Sequence, residues 1–95
     1  MTRIVIKKII WDEWNQEHIK KHNLTVEEVE IAIDNFIAHK KGNKGRYILT
    51  GRCKDKLVSV VINRKAECTY YIVTARDADK KERKIVYEKE KIKNS

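Results

Sequence analysis

The spacing of apolar residues in the first half of the chain predicts one strand followed by two helices. Residues 4–10 are rich in β-branched side chains and predict an opening strand. Residues 13–22 predict a helix, and Asn23 is suited to end it because Asn tolerates the left-handed conformation. Thr25 and Glu28 form a capping-box pattern, which predicts a second helix from residue 25 to about residue 36.

The second half predicts a basic loop, three strands and a closing helix. Residues 38–45 are polar, contain two glycines and show no periodicity, so we interpret them as a loop. Asp79 can cap a final helix, with Glu82 at the third position, that runs to about residue 91. Three segments rich in Val, Ile and Tyr predict an antiparallel meander: residues 46–52, 57–63 and 69–75.

These elements predict an α+β fold with a small antiparallel sheet, in the order β-α-α-β-β-β-α. The 95 residues suffice for one hydrophobic core, so we expect a single domain over residues 1–95. The second helix should bury one apolar stripe and expose an acidic face. The stripe consists of Val26, Val29, Ile33 and Phe36, and the acidic face of Glu27, Glu28, Glu30 and Asp34.

The net charge of +8 is unevenly distributed along the chain. Between residues 39 and 56, seven Lys or Arg residues accompany a single acid, whereas the second helix carries acids and no base. A basic segment of this kind attracts polyanions, although basic composition also occurs in proteins that bind none. Nucleic acid, and RNA in particular, is therefore the expected partner.

Cysteine usage and the N-terminus favour a cytoplasmic protein that lies outside the membrane. Cys53 and Cys68 are far apart and have no histidine at a zinc-like interval, so reduced thiols are expected. Residues 1–10 are apolar but include Arg3, Lys7 and Lys8, show no signal-type cleavage site and are too short to span a bilayer. We expect no cofactor and no metal.

The first helix carries a row of residues that suits work on RNA. Trp14, His18 and His22 repeat every four residues, and Lys21 lies beside them. A row of this type can stack a base and move a proton near neutral pH. Trp14 in the core and two surface histidines would fit the pattern equally well. Two histidines without a third ligand do not make a zinc site.

Three arginines lie at or near the ends of predicted strands, where they could converge on one phosphate. These are Arg46, Arg52 and Arg76. A guanidinium offers a planar pair of donors and stays charged, although each arginine could instead form a surface salt bridge. Four tyrosines could stack bases or be buried in strands, and alternation places Tyr70 and Tyr71 on opposite faces. The four are Tyr47, Tyr70, Tyr71 and Tyr87.

Several short motifs, in the same order and spacing, resemble the BrnT family. Together they cover roughly residues 9–87. They are WDEWN at 11–15, KHNLT at 21–25 with EE at 27–28, GRYILTGR at 45–52, VTARDA at 73–78, and KER at 81–83 with Tyr87. The chain departs from the family pattern in its longer opening strand, in Asn23 where Gly is usual, and in Asp77 where a basic residue is common.

The resemblance implies a RelE-like fold and the activity of a ribonuclease toxin from a type II toxin–antitoxin pair. Such toxins stop translation until a BrnA antitoxin, itself DNA-binding, neutralises them. Metal-free cleavage would proceed by attack of the 2′-hydroxyl on its own phosphate. We expect Arg76 and Arg52 to stabilise the charge, His18 or His22 to move protons, and Lys21 to assist. The expected RNA contacts are Trp14, Lys44, Arg46, Tyr47, Arg83 and Tyr87.

Two other functions fit the same sequence. One is a non-catalytic module that binds RNA or DNA, or that serves in a repressor complex with an antitoxin. The other is a protein-interaction domain that uses the acidic helix, with the basic residues serving solubility. Loss of activity without a comparable loss of affinity on substitution of Arg76 would separate an enzyme from a binder.

Overall fold

A computed structural model describes residues 4–93 as a five-stranded sheet with three helices, which confirms the α+β class. The sheet order is β1-β5-β4-β3-β2. The elements are β1 Lys8–Ile10, α1 Glu13–Lys20, α2 Val26–Asp34, β2 Phe36–Lys41, β3 Arg46–Cys53, β4 Lys56–Ala66, β5 Thr69–Asp77 and α3 Lys80–Lys93. No helix in this part of the chain is long and apolar enough to span a bilayer.

The predicted element order is wrong because it omits β2. This strand includes residues 38–41, which we predicted as a loop, and Phe36, which we predicted as the end of a helix. β2 pairs antiparallel with β3 and forms one edge of the sheet. Phe36 continues the helical repeat of α2, and the rest of β2 has little apolar content, so the strand is specified by its partner rather than by its own pattern.

The antiparallel sheet is likewise a wrong prediction, because the sheet is mixed. β1 pairs parallel with β5 through Lys8–Ile10, and residues 4–7 precede the strand rather than belonging to it. The meander of β3, β4 and β5 is antiparallel, as predicted. The two helices that follow β1 carry the chain from one edge of the sheet to the other.

The predicted helix starts and the predicted stop at Asn23 are confirmed. Thr25 Oγ1 accepts from the Glu28 backbone N–H at 3.1 Å, and the Glu28 carboxylate accepts from the Thr25 N–H at 3.0 Å. Asp79 and Glu82 form the same reciprocal pair ahead of α3. Asn23 has φ of +59° and follows the last turn of α1. Local hydrogen bonds therefore fix these three boundaries.

The sheet has two unlike faces, and α1 and α2 cover the one that we call the first face. Alternate residues of β3, β4 and β5 pack there against Ile19 of α1 and against Val29, Ala32 and Ile33 of α2. The strand residues that are fully or almost fully buried on this face are Leu49, Cys53, Val58, Val60, Ile62, Ile72 and Ala75. This is the main hydrophobic core.

The opposite face, which we call the second face, is covered only in part. α3 packs at one end of it, where Val86 joins a small cluster with Ala38, Leu57 and Ala78. Because side chains alternate along a strand, the residues between those of the first face point here. Ile48 and Val61, farther along the same strands, are only half-buried.

Gly51 allows β3 and α2 to approach closely. A Cβ at this position would overlap the carbonyl oxygen of Ala32 and lie 2.9 Å from the Cα of Phe36. No side chain fits in that space without moving the backbone. Gly51 thus fixes the distance between the end of α2 and the sheet.

Candidate functional site

The half of the second face that α3 leaves uncovered is basic at its border and apolar at its centre. Strand pairing places Ile48, Val61 and Thr74 in one row across β3, β4 and β5. The Thr74 hydroxyl is buried and makes no hydrogen bond to any described residue. We call this surface the open face; it consists of Lys40, Arg46, Ile48, Val61, Asn63 and Thr74.

A polar cluster occupies the border between the open face and α3. Arg76 donates from Nη1 to Glu82 Oε1 at 2.7 Å and from Nη2 to Glu82 Oε2 at 3.0 Å. Ser59 Oγ donates to Glu82 Oε1 at 2.8 Å and also lies 2.8 Å from the Thr50 hydroxyl. Ser59 and Thr50 are buried, whereas 34% of the Arg76 side chain is exposed. We call these four residues the Arg76–Glu82 cluster.

Hydrogen bonding keeps both charged members of this cluster ionised. Burial would raise the pKa of Glu82, but bonds from Arg76, the Asp79 backbone and Ser59 outweigh it and lower the pKa below its usual 4.5. The bond to Glu82 raises the pKa of Arg76. The cluster therefore presents a fixed guanidinium and a fixed carboxylate near neutral pH.

Arg52 also forms an ion pair on the second face, in this case with α3. Its Nε donates to Glu90 Oε2 at 2.6 Å and its Nη2 donates to Glu90 Oε1 at 2.7 Å. The pair raises the pKa of Arg52 and lowers that of Glu90. Arg52 also lines a small groove of about 210 Å³ with Arg83 and Tyr87, so the structure brings these three predicted residues together.

Tyr87 is exposed on the outer surface of α3 with basic neighbours. It shares a shallow groove with four basic residues, Lys80, Arg83, Lys84 and Lys91, and one acid, Glu88, and 53% of its surface is accessible. Arg83 Nε donates to the carbonyl oxygen of Ala78, which leaves the rest of its guanidinium exposed. A stripe of this kind can hold a phosphate backbone and stack a base.

The three predicted arginines lie on the second face but do not converge on one phosphate. Arg46 and Arg52 are six residues apart on β3, which at about 3.3 Å per residue separates them by about 20 Å. Arg76 of β5 pairs with Ser59 of β4, which in turn pairs with Thr50 of β3. Along the strand direction, Arg76 therefore lies between Arg46 and Arg52. The three guanidinium groups therefore do not bind one and the same phosphate.

The predicted row on α1 exists, but it lies away from the arginines. The rings of Trp14 and His18 stack at 4.9 Å, and His22 follows at 6.0 Å from His18. Trp14 is 57% exposed, so the alternative in which it belongs to the core is excluded. α1 packs on the first face, whereas Arg76 points to the second, and the sheet lies between them.

Lys21 completes this row. It lines a shallow groove with Trp14, His18 and three acids, Asp12, Glu13 and Glu17. The groove thus contains more acidic than basic groups, which disfavours a phosphate there. The structure does not bring Lys21, His18 or His22 together with Arg52 or Arg76.

The remaining predicted contacts are divided between the two faces. Tyr47 is half-buried on the first face, where its ring meets Tyr70 edge-on at 6.2 Å. Tyr71 points the other way, as predicted, and its hydroxyl donates to Asp12. Lys44 is exposed in the turn before β3, with φ of +58°, next to Arg46 of the open face.

Most residues of the WDEWN segment have structural roles. Asp12 caps α1, and the fully buried Asn15 donates from Nδ2 to the carbonyl oxygen of Ile10 at 3.0 Å. Trp11 Nε1 donates to Glu30 of α2 at 3.2 Å. The resemblance in this segment thus coincides with residues that join β1, α1 and α2.

Two charged residues of the open face and the Arg76–Glu82 cluster were missing from the sequence-based set, Glu82 and Lys40. Glu82 was recognised only as a capping residue, since no local pattern shows that Arg76 and Ser59 lie against it. Lys40 was assigned to a loop, whereas its strand places it beside Ile48 on the open face. The described residues contain no group of three or more His, Cys, Asp or Glu arranged to hold a metal.

Comparison with protein-family models, with curated proteins and with solved structures found no match. The proposals below therefore rest on the residues, their geometry and the resemblance described above.

Proposed function

We propose that this protein is a metal-independent endoribonuclease that acts as the toxin of a type II toxin–antitoxin pair in the cytoplasm. The observation that carries the proposal is Arg76, held by Glu82 at the border of a half-open basic sheet face. The resemblance to the BrnT family supplies the RelE-like fold, the inhibition of translation and a DNA-binding BrnA-like antitoxin as partner.

The open face suits single-stranded RNA. Its centre, Ile48 and Val61, offers apolar surface to a splayed nucleotide, and Arg46 and Lys40 neutralise neighbouring phosphates. Arg76 is then the group that stabilises negative charge on the reacting phosphate. An arginine that is already fixed by an ion pair needs little reorganisation when that charge develops.

The other predicted residues take supporting roles in this proposal. Arg52 holds α3 through Glu90 and, with Arg83 and Tyr87, extends the binding surface along the helix. His18 and His22 lie on the far side of the sheet from Arg76, so they do not move protons at the same phosphate. The proton acceptor must come from the second face.

A non-catalytic nucleic-acid-binding module is the second candidate. It is favoured by the ion pairs of Arg52 and Arg76, since arginines that are already paired with carboxylates are common in structural networks. The acidic groove beside Trp14 and the acidic helix α2 would then serve a protein partner.

The test is cleavage of total RNA by the purified protein in chelator, compared with Arg76→Ala. We expect the substitution to lower the cleavage rate by about 100- to 1000-fold, as for loss of one donor to a developing oxyanion. Arg64→Ala is the matched control, because Arg64 is exposed and alternation places it on the first face. Intact RNA with the wild-type protein, or an equal loss in both variants, would refute the proposal.

A further inference from the structure

Arg76 retains a second pair of donors after its ion pair is made. A guanidinium has five N–H donors. Two of them, on Nη1 and Nη2, bind Glu82, and Nη1 also donates to the carbonyl oxygen of Asp77 at 3.2 Å. Nε and the other Nη2 hydrogen make no hydrogen bond to any described residue. These two donors lie side by side and match the geometry that a phosphate accepts.

Glu82 retains an acceptor position beside that pair of donors. Oε1 accepts three hydrogen bonds, from Arg76, Ser59 and the Asp79 backbone. Oε2 accepts only one, from Arg76 Nη2. A carboxylate oxygen offers about two acceptor sites, so one site of Oε2 is open. Because Nη2 belongs to both pairs of donors, a phosphate bound at the free pair lies next to Oε2.

We propose that Glu82 is the general base of the cleavage reaction and that Arg76 binds the reacting phosphate beside it. This inference rests on the proposed ribonuclease function. Glu82 lies on the same face as Arg76, which His18 and His22 do not. Its side chain is 15% exposed, so the carboxylate is held in place but is not sealed from solvent.

The reaction balances with these two residues and water. Glu82 Oε2 takes the proton of the 2′-hydroxyl while that oxygen forms a bond to phosphorus. The bond from phosphorus to the 5′-oxygen breaks, and the leaving oxygen takes a proton from water. The products are a 2′,3′-cyclic phosphate and a 5′-hydroxyl, and the hydroxide left by water removes the proton from Glu82.

The ion pair of Arg52 and Glu90 lacks these features. Arg52 already uses Nε and Nη2, the side pair of donors, to bind Glu90. The pair that is open in Arg76 is therefore occupied in Arg52. Glu90 also lies eight residues after Glu82 on α3, about 12 Å farther along the helix. Glu90→Gln is therefore a matched control, because it removes a similar carboxylate from a similar ion pair.

The experiment compares Glu82→Gln with Glu90→Gln in chelator on a defined RNA oligonucleotide. We expect Glu82→Gln to lower kcat by at least about 100-fold, the usual contribution of a general base. Its affinity for uncleaved RNA with a blocked 2′-hydroxyl should change by less than about threefold, and Glu90→Gln should keep kcat within about threefold. Glutamine also occurs at this capping position, so circular dichroism should show an unchanged fold.

The pH profile separates a base from a structural residue. Wild-type kcat/KM should fall as the pH drops through the pKa of Glu82, and the residual activity of Glu82→Gln should lack that fall. Ser59→Ala removes one donor to the carboxylate, so it should move the fall to higher pH. An unmoved profile in Ser59→Ala would overturn the inference even if Glu82→Gln does not fold.

The possible outcomes distinguish the two proposals. If the wild-type protein cleaves RNA and Glu82→Gln cleaves at a similar rate, Glu82 is not the base and the ribonuclease function stands. If the wild-type protein leaves RNA intact, the ribonuclease function fails, and the catalytic role of Glu82 fails with it.

Discussion

The two faces of the sheet are built from different kinds of interaction. The first face is apolar and covered by two helices, and Leu49, Val60 and Ile72 have no exposed surface. The second face is held by a small apolar cluster around Val86 together with ion pairs and hydroxyl groups, and half of it is open. Packing thus stabilises the protein on one side, while charged groups remain accessible on the other. The main hydrophobic core and the proposed RNA-binding surface therefore lie on opposite faces of the sheet.

Gly51→Ala should have the largest effect on stability. The added methyl group would lie 1.9 Å from the carbonyl oxygen of Ala32, a backbone overlap that we place at the upper end of the range for overpacking, about 3 kcal/mol. We expect a loss of that size in the free energy of unfolding, measured by urea denaturation. Gly42→Ala is the control: its Cβ would meet nothing closer than 3.5 Å, so it should change stability by less than about 0.5 kcal/mol. Equal effects would contradict the close approach at Gly51.

Neighbouring valines of β4 test the difference between the faces directly. Val60 is fully buried on the first face, whereas Val61 is half-buried on the second. Val60→Ala should lower the free energy of unfolding by about 2 kcal/mol, and Val61→Ala by less than about 1 kcal/mol. Thermal or urea unfolding of both variants would measure these two changes in the free energy of unfolding. A larger loss at Val61 would show that the open face is covered in solution.

The Arg76–Glu82 ion pair should make part of the stability depend on pH. The pKa of Glu82 is lower in the folded protein than in the unfolded chain, so the pair stabilises the fold above about pH 4.5. That contribution is lost as the pH falls through the folded pKa. At pH 7, Glu82→Gln should lower the free energy of unfolding by about 1–2 kcal/mol, and the difference should shrink below pH 4.5.

Glu88→Gln provides the comparison for that measurement. Glu88 is exposed on the same helix and forms no ion pair within residues 4–93. Its substitution should leave the pH dependence of the unfolding free energy unchanged. If the difference in unfolding free energy between wild type and Glu82→Gln stays constant down to pH 3, the ion pair does not make stability depend on pH.

The smallest expected effect concerns adjacent lysines of β2. Strand alternation places Lys40 on the second face beside Ile48, and Lys41 on the first face beside Tyr47. Lys40→Ala should weaken RNA binding by about 1 kcal/mol and reduce the slope of log affinity against log salt by about one. Lys41→Ala should change neither. Fluorescence anisotropy at several salt concentrations gives both quantities. Equal effects of Lys40→Ala and Lys41→Ala would show that RNA does not bind the open face.

The sequence predicted elements well where local chemistry determines them. The capping pairs at Thr25 and Asp79 and the left-handed Asn23 were correct because each depends on residues within one turn. β2 was not predicted because its strand structure comes from pairing with β3 rather than from its own apolar pattern, and the parallel pairing of β1 was not predicted because β5 is distant in the sequence. Periodicity describes how a segment meets a core but not which strand lies next to it.

The candidate site, like the fold, was predicted only where neighbouring residues determine the geometry. Arg52 and Arg76 were predicted and lie on the second face, yet their carboxylate partners are 38 and 6 residues away and were not predicted. The row of Trp14, His18 and His22 was correct as local geometry. Its position relative to the arginines depends on which face α1 covers, and one helix pattern cannot show that.

The parallel pairing of β1 with β5 has a consequence for the order of folding. The hairpins of β2 to β5 close over a few residues, whereas β1 pairs with a strand about 60 residues away, so we expect it to join the sheet last. The bond from Tyr71 to Asp12, at that edge, joins residues 59 positions apart. Contacts between residues so far apart in the sequence form late in folding. Amide protons of β1 and of the first turn of α1 should therefore exchange earlier than those of β4. The part of the fold around Trp14 should be the first to unfold locally.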